Sequence, residues 1–373
     1  MREMQTFASP HADDWALVRS RLPRDLDLSR LARETKALLR LRGVRDAESL
    51  LRLALARGPG GLSIQETAAW AELVGVAQLS GPSLHDRLHQ SVDFLRAIVR
   101  SQLEHGRSAH SPLWAGRHLR IVDSTSLSQP GSKGTDWRVH AVYDLAAGGF
   151  THLELTDAKE GERFSRGAPV PGELRLGDRG FCNGPELARY LQQAGEGGAD
   201  FIVRMRWNTL PLRDDTGDPF DLIRLLQQIS QPGEVGSVLV NAVTGRDRPL
   251  LPLRVVALRL PAEKAAANRK RLLQKASRQQ TTPDPRSLIA AEFLILGTTL
   301  PSEIPATEVL TTYPLRWQIE LAFKRLKSLL HIDRLPTHTQ TGGQVWLHAH
   351  LILALLCDTV NRDFLAFFPS GPQ

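Results

Sequence analysis

Cysteine is nearly missing from this sequence: Cys182 and Cys357 are the only two among 373 residues. Two thiols cannot build a disulfide framework or a cysteine-ligated zinc site, and their scarcity fits a reducing compartment. A long apolar stretch is missing too. The longest run, LILALLC at 351–357, follows His348 and His350 and falls far short of the roughly 20 residues that span a bilayer. The opening, MREMQTFASPHADDW, carries acidic residues where an export signal has its apolar core. Internal repeats and low-complexity tails are not found either. A soluble cytoplasmic protein without a membrane partner is expected.

What is present is apolar mass and positive charge. Hydrophobic residues make up 42% of the chain, enough for a globular protein, and its length predicts two or three domains. The formal net charge of +7 favours a polyanionic partner, with nucleic acid first among the candidates.

Residues 14–105 have helical periodicity, broken by GPGG at 58–61. In the stretch that follows, Ser63 and Glu66 have capping-box spacing, Gly75 lies near a turn, and Ser80 or Ser83 can open a second helix. That layout resembles a helix-turn-helix whose second helix would present His85, Arg87, His89 and Gln90 to DNA. Two amphipathic helices around a glycine also occur in many proteins that touch no DNA.

The period changes at residue 117. RHLRIVDSTSL, WRVHAVYDL and GGFTHLELTD predict three successive strands, and GELRLGDRGF a short one broken at Gly177 with Asp178 at its end. GPELARYLQQAG predicts a helix and ADFIVRMRW another strand, so an α/β layer with a mixed sheet is expected. Residues 207–303 interrupt the pattern with strand-like pieces and with EKAAANRKRLLQKASRQQ, where Lys264, Arg269, Lys270, Arg271, Lys275 and Arg278 face the single acid Glu263. This predicts a β-rich basic insertion whose Arg269, Lys270 and Arg271 contact DNA phosphates; a solvated charged helix is the plainer alternative. EFLILGTTL leads back to a helix over TTYPLRWQIELAFKRLKSLL, residues 311–330, and an apolar helix closes the chain.

The 311–330 segment carries the chemistry. At about 100° per residue, Tyr313, Arg316, Glu320 and Lys327 fall in one stripe beside an apolar arc that includes Ile319, Phe323 and Leu326. Thr312 is expected to cap this helix, with Pro314 in its first turn. Asp123 and Asp178 each follow an apolar strand, at the carboxyl end where open α/β sheets place functional groups. Three carboxylates converging without partners would repel, and a divalent cation relieves that. Oxygen ligands suit Mg²⁺, with Mn²⁺ as a substitute, rather than zinc. Two such ions can activate a water or a 3′-hydroxyl and stabilise the departing oxygen of a phosphodiester. Tyr313, Arg316 and Lys327 would bind phosphate beside them. Each residue has an ordinary alternative: Asp123 or Asp178 can shape a turn, and the stripe can be a salt-bridged face.

YPLRWQIELAFKRLK matches the Y-x2-R-x3-E-x6-K signature of the insertion-sequence-four, or YREK, family of DDE transposases, and IVDST and LGDRGF are similar to that family's two aspartate segments. The resemblance covers most of the chain, from about residue 60 onward. It implies a helical domain binding DNA ends (1–115), a ribonuclease-H-like core in two parts (116–206 and 304–373) and a β-rich insertion between them (207–303). It further implies Asp123, Asp178 and Glu320 as Mg²⁺ ligands, Tyr313 and Arg316 at phosphates near the cleaved end, and Lys327 on the DNA backbone. The partners would be double-stranded DNA, as transposon terminal inverted repeats and target, with the protein a homodimer on DNA. The activity would be metal-dependent strand cleavage and transfer; a catalytically inactive DNA-binding remnant is the alternative. A glycosidase, whose acid pair needs no phosphate clamp, fits less well. One departure concerns the insertion tryptophan that stacks on a flipped base in some members: here Trp207 stands at the insertion's start, and no other follows before Trp317.

Overall fold

The structure is a computed structural model that describes residues 10–106, 114, 116–245 and 249–367, with side chains described from 15 to 364. The expected boundary at residue 115 falls outside those residues.

The N-terminal part is helical: α1 (Pro10–Arg21), α2 (Leu28–Glu34), α3 (Ala47–Arg57), α4 (Ile64–Leu73), α5 (Gly81–His89) and α6 (Val92–His105). Asp27, Asp46, Ser63 and Ser80 cap α2 to α5 by accepting otherwise unpaired backbone N–H groups. Both bonds of the Ser63–Glu66 capping box form. Leu84 and Leu88 bury one side of α5. The residues expected to read bases do not share a face: Arg87 donates to the Arg40 carbonyl, whereas His85 and His89 line a cavity of about 220 Å³ with Arg57, Pro336 and Trp346.

A mixed sheet follows. Its first strands are β1 (His118–Leu127), β2 (Trp137–Asp144), β3 (Gly149–Asp157) and β4 (Glu173–Gly177); then come α7 (Gly184–Ala194) and β5 (Ala199–Arg204). The region from 207 to 303 supplies β6 (Leu212–Arg213), α8 (Leu222–Gln228), β7 (Val235–Ala242), β8 (Leu251–Arg259), α9 (Ala262–Arg278), α10 (Pro285–Ala290) and β9 (Phe293–Thr298). Those later strands make no sheet of their own. β9 pairs antiparallel with β5, giving one nine-stranded sheet in the order β3-β2-β1-β4-β5-β9-β8-β7-β6. β1, β4 and β5 run parallel, and β2 and β3 antiparallel to their neighbours.

Both faces of the sheet are covered, so adjacent residues enter different cores. Ile121 joins Phe94, Trp137, Leu347 and Ile352 on the side of the N-terminal helices, while Val122 joins Phe164, Tyr190, Phe201 and Val255 on the other. Charge is buried here as well. Arg120 pairs with Asp144 and Glu173, and the fully buried Arg175 pairs with Glu173 at 2.6 Å. Arg175 also donates to the carbonyls of Phe164, Arg166 and Gly167 at 2.8–2.9 Å, so its remaining hydrogens pin the loop between β3 and β4.

The segment expected as one helix over 311–330 is three pieces: α11 (Ala306–Thr312), a 3-10 turn (Tyr313–Arg316) and α12 (Trp317–Ser328). Thr312 therefore caps nothing; its hydroxyl donates back to the Glu308 carbonyl inside α11. Pro314 does stand in a first turn, but that of the 3-10 turn that follows α11. Its missing N–H cannot meet the carbonyl four residues back, and the chain tightens there before resuming an α-helix. The closing helix α13 (Gln340–Phe367) packs on α3, α6 and β3. Its stretch Gln340–Phe364 is long and apolar enough to cross a membrane, with 67% of its most apolar window buried inside the protein.

Candidate active site

Asp123 lies within β1, four residues before its end, rather than at a strand terminus as expected. The strand's two neighbours explain its exposure. β2 accompanies β1 to Leu127, but the pairing with β4 stops at Ile121↔Leu176. Past that point β1 has one open edge, and Asp123 stands on it. Extending the register by two residues puts Asp178, just beyond β4, opposite Asp123. The pairing Gly177↔Val203 carries the same row to Arg204 at the end of β5. Gly177 is needed at this spot: a Cβ there would begin 2.7 Å from the Phe164 ring.

The 3-10 turn packs against β4 and α12 against β1. Arg316 lies 3.6 Å from Asp123 and donates to Glu320 one turn on, so its guanidinium joins the two carboxylates. Asp123, Glu320 and Lys327 line one open cleft of about 670 Å³, in which the Lys327 ammonium donates to the Ser126 carbonyl at 3.2 Å. Asp178, Arg179, Arg204, Arg206, Tyr313 and Arg316 line a second, of about 390 Å³. Arg316 thus links the two clefts, and the sequence-predicted Asp123, Asp178, Tyr313, Arg316, Glu320 and Lys327 gather at one place.

Burial dominates the electrostatics. Burial pushes the Asp123 carboxyl up to about 7 against the pull of the Ser124 N–H; the charge of Asp178 raises it further, Arg316 opposes, and Glu162 raises it again. Burial works against the charge of Arg316, yet its bond to Glu320 and the nearby Tyr313, Glu320 and Asp123 hold its pKa above the ordinary value. Burial also raises the Tyr313 phenol. Arg316 pairs with Asp123 and Glu320, while Arg179, Arg204 and Arg206 line the cleft of Asp178. Among the described residues no three metal-ligating side chains stand together as a ready ion site, because Arg316 lies between Asp123 and Glu320. The donor chemistry nonetheless fits a hard divalent cation: the groups are carboxylate oxygens.

The family model described as "Transposase DDE domain" matches residues 114–356. The putative transposase InsL for insertion sequence element IS186A of Escherichia coli strain K12 is 39% identical over 360 residues, which is 96% of each chain. The chain belongs to the DDE transposase family. The transposase for insertion sequence element IS421 of Escherichia coli is 39% identical over 361 residues, again 96% of each chain. That for IS231F of Bacillus thuringiensis subsp. israelensis is 26% identical over 275 residues, 65% of this chain and 56% of that one. A solved piggyBac transposase synaptic complex with hairpin DNA is 11% identical at a TM-score of 0.43, covering all of this chain and 71% of that one.

In this transposase a basic cavity of about 530 Å³ continues from the second cleft, lined by Arg179, Arg204, Arg206, Trp207, Arg271 and Lys275 among others. The three residues expected to act together on α9 diverge. Arg269 is paired with Glu292 at 2.6 Å, Lys270 is exposed and Arg271 borders the cavity. Successive helix residues point about 100° apart, so a run of three cannot face one surface. Trp207 donates to the Ser287 hydroxyl and carries the Arg286 guanidinium 4.3 Å from its ring. Sequence reasoning missed Arg204, Arg206 and Glu162. Arg204 had a usable signal, since it ends a parallel strand as Asp178 does; Glu162 sits in an aperiodic loop and had none.

Proposed function

We propose that the chain is an insertion-sequence transposase of the YREK group, which binds the terminal inverted repeats of its element and performs metal-dependent strand cleavage and strand transfer. The observation that carries this is the Arg316 guanidinium joined to Asp123 and Glu320, with Asp178 in the row beside Asp123. The strand order β3-β2-β1-β4-β5, three antiparallel strands then two parallel ones, supports a ribonuclease-H-like core. On that basis 116–206 and 304–373 form the catalytic part, 207–303 the insertion and 1–115 the part that binds DNA ends.

Asp123, Asp178 and Glu320 would hold the cation, Mg²⁺ or Mn²⁺ in its place. When bound, that ion acidifies a water or a 3′-hydroxyl and stabilises the departing oxygen. The protein's own part is positioning and charge. Arg316, freed from the carboxylates, offers a phosphate two parallel N–H groups, which lysine cannot do. Tyr313 reaches the same phosphate from the second cleft, and Lys327 supplies a point charge in the first. Of Arg269, Lys270 and Arg271 on α9 only Arg271 borders the cavity, and with Arg204 and Arg206 on the cavity wall it tracks the backbone farther along. Two DNA ends call for two copies, so a homodimer on DNA in the bacterial cytoplasm completes the proposal.

Labelled DNA bearing the parent element's ends provides the test, with Mg²⁺ and again with Mn²⁺. Glu320→Gln keeps volume and a hydrogen-bonding oxygen but loses the charge, so end binding should survive while nicking is lost. Full nicking by a folded Glu320→Gln protein would make the Arg316–Glu320 pair a structural salt bridge and sink the assignment.

A further inference from the structure

A fourth carboxylate stands at this site. Glu162 lies in the loop between β3 and β4, and its Oε1 accepts from the Ser124 hydroxyl at 2.7 Å. Ser124 in turn donates its backbone N–H to Asp123 Oδ1 at 2.8 Å. The other oxygen of Glu162 faces the second aspartate segment: a side chain built on Gly180 would begin 2.5 Å from Glu162 Oε2 and 3.2 Å from Asp178 Oδ1. Glu162 therefore sits behind both aspartates, touching one through Ser124 and approaching the other across the bare α-carbon of Gly180.

Its loop is held in place rather than draped over the surface. Arg175 grips the carbonyls of residues 164, 166 and 167 from inside the protein, Phe164 is fully buried, and the Ser165 hydroxyl donates to Glu186 at 2.6 Å. The other acids nearby are matched by cations: Glu160 pairs with Arg163 and Arg166, and Glu154 with Arg166. Among the described residues no lysine, arginine or histidine forms a salt bridge with Glu162. A fixed, half-buried carboxylate aimed at two others without a counter-charge requires positive charge from elsewhere.

We propose that Glu162 is a positioning residue of the active site, tethering the Asp123 segment through Ser124 and supplying the negative charge that raises the site's affinity for its divalent cation. The inference rests on the assignment of Asp123, Asp178 and Glu320 as the cation's ligands. Glu162 needs no contact with the ion; at a few ångströms, with protein between, one charge alters a cation's affinity appreciably.

The experiment measures Mn²⁺ binding to the full-length, DNA-free protein by the electron paramagnetic resonance signal of free Mn²⁺, and separately the Mg²⁺ concentration for half-maximal nicking of end DNA. Glu162→Gln keeps the bond to Ser124 and removes the charge, and is expected to weaken Mn²⁺ binding about tenfold. Its half-maximal Mg²⁺ should rise similarly, while nicking at saturating Mg²⁺ approaches the wild-type rate. Glu162→Lys reverses the charge and should weaken binding further. Glu160→Gln, in the same loop but at a paired acid, should leave binding unchanged. Equal affinity in wild type, Glu162→Gln and Glu162→Lys overturns the proposal, as does an equal loss in Glu160→Gln. If instead wild type binds Mn²⁺ no better than Glu320→Gln does, the ligand assignment itself has failed.

Discussion

Two arginines in this protein, Arg175 and Arg316, each hold more than one acceptor around a single guanidinium, and they do opposite things. Arg175 is sealed: Glu173 and three carbonyls satisfy its guanidinium, Arg120 and Asp144 complete the network, and water is shut out. Arg316 is open: it lines one cleft, is paired with two carboxylates of the other, and stands beside an aspartate pushed up to about 7 by burial. Paired charge in a sealed site fixes structure. Charge facing an open cleft leaves binding capacity.

That contrast can be broken most forcefully at the sealed site. Arg175→Met leaves Glu173 buried with weakened pairing and releases three carbonyls, so the protein should lose about 3 to 5 kcal/mol of stability, read as a lower urea midpoint. A loss under about 1 kcal/mol would place Arg175 with surface pairs and erase the distinction.

Acid should find the apolar core next. His348 and His350 on α13 are each held down to about 4, first by burial. Both stay neutral in the folded protein, while the unfolded chain takes up protons below about 6.5. Their contribution is complete above that pH and is lost as pH falls toward 4, by about 2 kcal/mol each at pH 5. Asp358, raised to about 6 by burial, works in the opposite direction and trims the loss. Thermal unfolding from pH 7.5 to 4.5 measures the effect, and His348→Gln should flatten the curve; an equally steep curve in that variant would count against the assignment.

At the open site the effect should fall on rate rather than fold. Arg316→Ala removes charged hydrogen bonds worth about 1.5 to 3 kcal/mol, equivalent to roughly ten- to a hundredfold in nicking, with the unfolding midpoint nearly unchanged. A large stability loss in Arg316→Ala would make it a second Arg175.

The smallest expected change concerns α9. Because the three side chains point apart and Arg269 is held by Glu292, exchanging Arg269, Lys270 and Arg271 for glutamine should weaken binding to all DNA sequences and flatten the salt dependence by about one counterion. An unaltered slope in the folded variant favours a solvated helix.

How much the sequence disclosed depends on the range of the interactions involved. Strand alternation revealed β1 to β5, and the aspartate segments and the YREK spacing singled out side chains that the fold gathers at one place. Local rules failed where a neighbour decides the outcome. Asp123 reads as a strand end, but its strand continues and only the partner β4 stops. Pro314 reads as opening one long helix because the preceding ATEVLTT, a helix with two β-branched threonines at its end, gives little sign of itself. That the strands of 207–303 extend the same sheet is not legible locally, because the pairing of β9 with β5 joins residues almost a hundred apart. Glu162 lies in a segment without periodicity, and only the folded loop brings it to the aspartates.

The row Asp123, Asp178, Arg204 also acts as a ruler. Neighbouring strands are about 4.8 Å apart, so the first aspartate and the arginine on β5 are separated by two such steps, roughly 10 Å. A DNA strand advances about 3.4 Å per nucleotide. On the proposed function, hydrogen bonds across the sheet would therefore hold the backbone about three nucleotides from the cut, and a one-residue register slip between β4 and β5 would turn Arg204 to the opposite face of the sheet and release that grip.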